Sequence, residues 1–251
     1  KPDANGYIVN AEFNPEADPI GWTEVRSEQY NDLGMGLIGT YQVRTEHPAA
    51  TVDETHLATE FAAGLECRWQ TNYAAYTQTT VEIPAGIYKL TFDVENTNAA
   101  TTSATYENRF SVTVGENVYT DESTEWMKGK SEWTTHTIPF TLTEASPITI
   151  SLGYGTGSNN YGVANTPALF VSHLQLEAIS ALDLALAELK NVIDAAADQA
   201  ATYNVGDGLF LYPETEIAPI YDAIEAAMAA YNAAESEEAV KAATEALNKF
   251  V

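Results

Sequence analysis

Two periodicities divide the chain. Through residues 1–177, apolar and polar positions alternate in short runs separated by turn residues. Tyr88, Leu90, Phe92 and Val94 alternate with Lys89, Thr91, Asp93 and Glu95, directly after the turn Pro84-Ala85-Gly86. That period of two predicts a strand with one face in the core and one polar face. Phe110, Val112 and Val114 repeat it, as do His136, Ile138, Phe140 and Leu142. Ile148, Ile150, Leu152 and Tyr154 form a further run, and Phe170, Ser172, Leu174 and Leu176 the last. Residues 7–13, 36–44, 64–71 and 76–83 are weaker strand candidates. Eight or nine short strands, each with one polar face, predict an antiparallel β-sandwich of jelly-roll type.

From residue 178 the period changes to 3.6. Leu182, Leu186, Leu189, Ile193 and Ala197 make one helical stripe, and Ile217, Ile220, Ile224, Met228 and Tyr231 a second. Val240, Ala243, Leu247 and Phe250 make a third. Ser180 followed by Asp183 has the spacing of a capping box, and Ser236 precedes Glu237 and Glu238 as an N-cap should. Pro213 or Pro219 falls in the first turn of the second helix, and Tyr203 to Gly208 breaks the first. Short connections predict an antiparallel three-helix bundle over 178–251. The expected architecture is therefore two domains, β then α, divided at 177/178.

Composition agrees with this division. Residues 178–251 hold 21 alanines, the best helix former, whereas the preceding texture is Thr, Val, Tyr, Asn and Gly. Net charge is −25, from 36 acidic against 11 basic residues. It divides into −15 before residue 178 (23 acids, 8 bases) and −10 after it (13 acids, 3 bases). So few cations cannot neutralise a nucleic-acid backbone or anionic lipid, and both partners are excluded. No apolar run is long enough to span a membrane. The single cysteine, Cys67, excludes an intrachain disulfide and a cysteine-based zinc site. Low lysine and an acidic, Tyr/Thr/Asn-rich texture point to a secreted or cell-surface bacterial protein, with any signal or lipid anchor outside the numbered chain.

Several stretches carry a resemblance. Asn10-Ala11-Glu12-Phe13 followed by Gly21-Trp22, the hairpin Val81-Glu82-Ile83-Pro84-Ala85-Gly86-Ile87-Tyr88-Lys89-Leu90, Trp133 through Phe140, and Leu169 through Leu176 are the residues concerned. Together they resemble galactose-binding-like jelly-roll carbohydrate-binding modules. Many relatives carry Asp-Asn where this chain has Ser172-His173, and that Asp often helps a structural calcium site. The departure puts in question the one cofactor the resemblance implies. Tyr203 to Phe210, between two helices, resembles the FIVAR-type helical modules of Bacteroidetes surface glycan-handling proteins. The resemblance implies non-catalytic binding of a glycan. The alternative is a structural surface protein whose helical module docks a cell-surface protein partner, with no sugar binding.

Catalytic chemistry finds little support in the residues. Gly34-x-Gly36-x-x-Gly39 matches the dinucleotide fingerprint by letter but lacks the strand before it and the helix after it. There is no G-x-S-x-G elbow, and nothing singles out one carboxylate pair such as Glu66 with Glu107. His47, His56, His136 and His173 show no HExxH or i,i+4 pairing and read as structural, so no metal ligands are expected. Asp121 to Glu125 could offer hard oxygens to calcium but reads better as a solvated loop. Sugar recognition combines ring stacking with planar polar groups. Trp126, Tyr73 and Tyr161 supply the rings; Arg68, Arg109, Glu66, Asn159 and Asn160 supply the polar contacts.

Overall fold

A computed structural model describes residues 6–26, 36–39, 50–66, 73–96, 106–108, 110–121, 132–156, 168–206 and 212–251. The chain divides into two compact units, Lys1–Ala178 and Ile179–Val251.

The first unit is a β-sandwich. Its described strands are β1 (Thr23–Arg26), β2 (Gly36–Gly39), β3 (Phe61–Glu66), β4 (Tyr73–Thr79), β5 (Gly86–Asn96) and β6 (Tyr106–Asn108). β7 (Ser111–Val114), β8 (Asn117–Thr120), β9 (Thr134–Leu142), β10 (Thr149–Thr156) and β11 (Ala168–Ala178) follow. The first sheet runs β1-β4-β10-β7-β8, with β6 also pairing β10; the second runs β2-β3-β11-β5-β9. Every strand pairing is antiparallel. Alternation decides which side chains enter the core between the sheets. Leu90, Phe92 and Val94 of β5, Ile138 and Phe140 of β9, and Ile150 and Leu152 of β10 are fully buried there.

Three strand expectations need correction. Residues 7–13 form turns instead of an opening strand. The Asn10 side chain accepts from the Asn14 N–H at 2.8 Å and donates to the carbonyls of Asn14 and Ile20, which satisfies the local backbone without a ladder. Asn10 and Phe13 both adopt left-handed backbone conformations. In β11 the single-face reading from Phe170 to Leu176 fails. Leu169 and Val171 enter the core, then the register shifts between Ser172 and Gln175, and Leu174 and Leu176 enter it. The bulge absorbs His173, at φ +52°, and leaves Phe170 and Ser172 on the opposite face. Finally, Asp93 and Glu95 are buried, because β5 is covered on its polar side too.

The second unit is three helices: α1 (Ala181–Ala200), α2 (Glu214–Ala233) and α3 (Glu237–Leu247). Ser180 and Asp183 form the complete capping box, and Ser236 Oγ accepts from the Ala239 N–H. Pro213 sits at the N-cap of α2, whereas Pro219 lies inside it. The common core is Ala185, Leu189, Ile193, Ala196, Ile224, Ala227, Val240 and Leu247. Met228 and Phe250, placed on the expected stripes, are exposed; small Ala196 and Ala227 occupy the contact faces instead. Among the described residues, no helix is long and apolar enough to cross a membrane.

Candidate functional site

Two features of the sandwich carry chemistry. The first is the outer face of the first sheet. Tyr76, Val112, Ile150 and Leu152 point into the core, so the intervening positions point away from it. In register across five of the sheet's six described strands stand Thr23, Thr77, Ser151, Ser111 and Thr120. A second row holds Thr79, Thr149, Thr113 and Val118. None of these nine residues is buried. Thr79 and Thr149 hydroxyls bond each other at 2.9 Å. The face is thus an ordered array of hydroxyls, each able to donate and accept.

The second feature lies on the outer side of the second sheet, beneath residues 50–60. Asp93 of β5 and Thr135 of β9 meet there across one register pair, beside His173 at the β11 bulge. Asp93 Oδ2 lies 2.9 Å from both His56 Nε2 and His173 Nδ1, and Asp93 Oδ1 accepts from the Thr135 hydroxyl at 2.7 Å. His56 Nδ1 lies 3.1 Å from Asp53, and His173 Nε2 lies 3.1 Å from Glu60. The imidazoles stack with centroids 4.3 Å apart, and the Trp133 ring stacks on His56 at 4.1 Å, within 5° of parallel. Trp133 Nε1–H donates to the Thr51 carbonyl at 2.7 Å. Thr51 in turn donates its N–H to Glu95 at 2.7 Å, and its hydroxyl donates to the same carboxylate. The segment is therefore fastened to β5 at two carboxylates, Asp93 and Glu95.

Electrostatics follow from these contacts. Burial acts to raise the Asp93 pKa, but bonds from His173, Thr135 and His56 outweigh it and hold the carboxyl below its ordinary range. The hydrogen bond to Asp93 raises the His173 pKa; burial opposes this and Glu60 reinforces it. Burial also raises Glu60, yet the Leu57 N–H and His173 bring it below its usual value. Asp53 is held far down by the backbone N–H groups of His56 and Thr55. Glu95 goes the other way: burial raises its pKa beyond what the Thr51 bonds restore.

His173 and Glu60 also line an open groove of about 340 Å³, with Ala11, Glu12, Thr59, Phe61 and Ser172. The donor set here does not suit calcium. Ser172 Oγ donates to the Phe61 carbonyl at 3.2 Å, and His173 brings nitrogen where a hard cation needs oxygen. Asp121, first of the five residues weighed as a calcium loop, pairs with buried His136 at 2.6 Å.

The sugar contacts expected from sequence fare differently. Trp126, Arg68, Arg109, Asn159, Asn160 and Tyr161 lie outside the described residues. Glu66 closes β3 in the second sheet and Tyr73 opens β4 in the first. Sequence reading missed the Asp93 cluster because its members are spread from residue 53 to residue 173. One local signal existed: Asp53 stands two and three residues before the Thr55 and His56 N–H groups that its carboxylate accepts from, the spacing of a side-chain cap.

No known family matches the sequence, and no curated protein does either. Solved structures give distant likenesses. A CBM61 module solved with β-1,4-galactotriose is 17% identical, with TM-score 0.43 over 69% of this chain and 98% of that one. The N-terminal cellulose-binding domain of Cellulomonas fimi β-1,4-glucanase C is 15% identical, with TM-score 0.33 over 69% and 97%. The enzymatically active domain of bacteriophage CBA120 tailspike protein 4 is 12% identical, with TM-score 0.43 over 69% of this chain but 21% of that one. At such identities and TM-scores none of these likenesses transfers a ligand or an activity.

Proposed function

We propose that the sandwich unit is a non-catalytic glycan-binding module of a secreted or cell-surface protein. One observation carries the reading: eight hydroxyl side chains stand in two cross-strand rows on an unburied sheet face. Strands lie about 4.8 Å apart and same-face residues about 6.8 Å apart, so the array presents hydroxyls at repeating intervals in two directions. A linear glycan presents hydroxyls of the same dual donor and acceptor character. Trp126, Tyr73 and Tyr161 would add ring stacking, and Arg68, Arg109, Asn159 and Asn160 planar polar contacts, whereas Glu66 belongs to the second sheet and is not assigned to this face. The sequence resemblance to galactose-binding-like modules points the same way.

The test is retention of the intact chain on a broad panel of polysaccharides, followed by calorimetry on any that bind. A net hydrogen bond contributes about 0.5–1.5 kcal/mol. Removing three hydroxyls, in Thr77→Val with Ser151→Ala and Ser111→Ala, should weaken binding about tenfold or more while the far-UV spectrum stays unchanged. Trp126→Ala and Arg68→Ala test the stacking and polar contacts separately. Absence of binding across the whole panel would refute the glycan reading. Capture of a cell-surface protein that depends on residues 178–251 would favour the docking alternative, for which exposed Tyr221 and Met228, seven residues apart on α2, are the first residues to substitute.

A further inference from the structure

We propose that His56, Asp93 and His173 bind a divalent transition-metal ion of the zinc class, which fastens segment 51–60 onto the second sheet. One ligand atom from each residue lies within 4.8 Å of the others, and the three come from a loop, a central strand and a bulge.

All four ring nitrogens lie against a carboxylate oxygen: His56 against Asp53 and Asp93, His173 against Asp93 and Glu60. The nitrogens that face inward already converge: His56 Nε2 and His173 Nδ1 each lie 2.9 Å from Asp93 Oδ2, so one divalent ion can meet all three atoms after a small opening. The outer N–H groups then donate to Asp53 and Glu60, the carboxylate–histidine–metal arrangement that fixes ring orientation at metal sites. Of the outward nitrogens, His56 Nδ1 also lies 3.0 Å from the Thr55 hydroxyl.

Ligand chemistry selects the metal. Two imidazole nitrogens and one carboxylate oxygen suit zinc and its neighbours, and three protein ligands leave a position for water. Zinc bonds of 2.0–2.2 Å place tetrahedral ligand atoms about 3.3 Å apart, so contacts now at 2.9 Å must open by about 0.4 Å. The rings, 10° from parallel, must also tilt, because ring lone pairs lie in the ring plane. His173 is the ring free to do this. Its side chain is 28% exposed, sits on a bulge and lines the groove, whereas the His56 side chain is 4% exposed and lies between Trp133 and His173.

The experiment uses the full chain, freed of metal by chelator and dialysis. ZnCl₂ is titrated against a chromophoric competitor, with CoCl₂ in parallel for its visible spectrum. One zinc per chain is expected, with cobalt bands typical of low-coordinate nitrogen and oxygen ligation. His173→Ala should lose at least tenfold in affinity, and so should His56→Ala. Glu60→Gln keeps all three ligands and should lose about tenfold through its outer contact alone. If His56→Ala fails to fold, the other two variants decide. No stoichiometric uptake, uptake unchanged in His173→Ala and Glu60→Gln, or equal displacement by CaCl₂ would each overturn the proposal.

Discussion

Replacing Asp93 by alanine should destabilise the sandwich without removing any apolar core contact. Asp93 is 9% exposed and makes three close polar contacts, with the His56 and His173 rings at 2.9 Å each and with the Thr135 hydroxyl, which donates to it at 2.7 Å. All three bonds involve the charged carboxylate and contribute about 1.5–3 kcal/mol each, roughly 4.5–9 kcal/mol gross. Relief of the buried carboxylate's desolvation offsets part of this. Breaking one partner of a buried ion pair costs about 3–5 kcal/mol by direct measurement on other proteins, so about 4 kcal/mol is expected here. For a unit of this size, each kcal/mol lowers Tm by about 2–4 °C, giving a fall of roughly 8–16 °C. Calorimetry of the full chain in the presence of chelator reads the change without a metal contribution. Thr135→Val, which removes one of the three bonds and leaves both imidazole contacts, should cost about 1.5–3 kcal/mol and serves as the comparison. A Tm for Asp93→Ala within about 3 °C of the parent protein would show that the cluster does not hold segment 51–60, and the reasoning would fail.

Other substitutions probe other links. Gly21→Ala places a Cβ 2.7 Å from Val9 Cγ1 at a residue with φ +77°, so it should cost about 2–4 kcal/mol, read by urea unfolding followed through Trp22 fluorescence. Leu189→Ala empties a fully buried position of the helical unit and should cost about 2–5 kcal/mol, seen as an earlier loss of ellipticity at 222 nm. Ser180→Ala removes half of a reciprocal cap and should cost about 1 kcal/mol by the same measurement; an unchanged midpoint would show the box contributes nothing.

Much of the fold was legible because burial imposes a period. In β9, His136, Ile138, Phe140 and Leu142 alternate without a break, and all four are buried as their spacing predicts. The caps at Ser180 and Ser236 were equally legible, since each uses residues three apart. Legibility stopped where a local rule met a non-local one. The N-terminal 7–13 stretch has strand-like residues, but the Asn10 side chain satisfies its backbone as turns. The β11 alternation breaks at His173, because a bulge adds a residue that no two-residue period announces. Helix stripes were right in phase and wrong in detail: alanine lets α1 and α2 bury Ala196 and Ala227 while Met228 stays outside.

By itself the sequence determined the class of each half, since hydrophobic period and propensity act within a few residues. It also carries the expectation that nucleic acid and anionic lipid are not partners, because a charge of −25 is a property of composition. Only the tertiary structure decided where the polar groups meet. The hydroxyl rows exist because antiparallel register sets Thr77 beside Ser151 and Ser151 beside Ser111. The Asp93 cluster exists because a loop covers the outer face of the second sheet and brings His56 within 2.9 Å of Asp93, where His173 already lies from the next strand. Such contacts join residues tens of positions apart, and register and covering, which create them, leave no period along the chain.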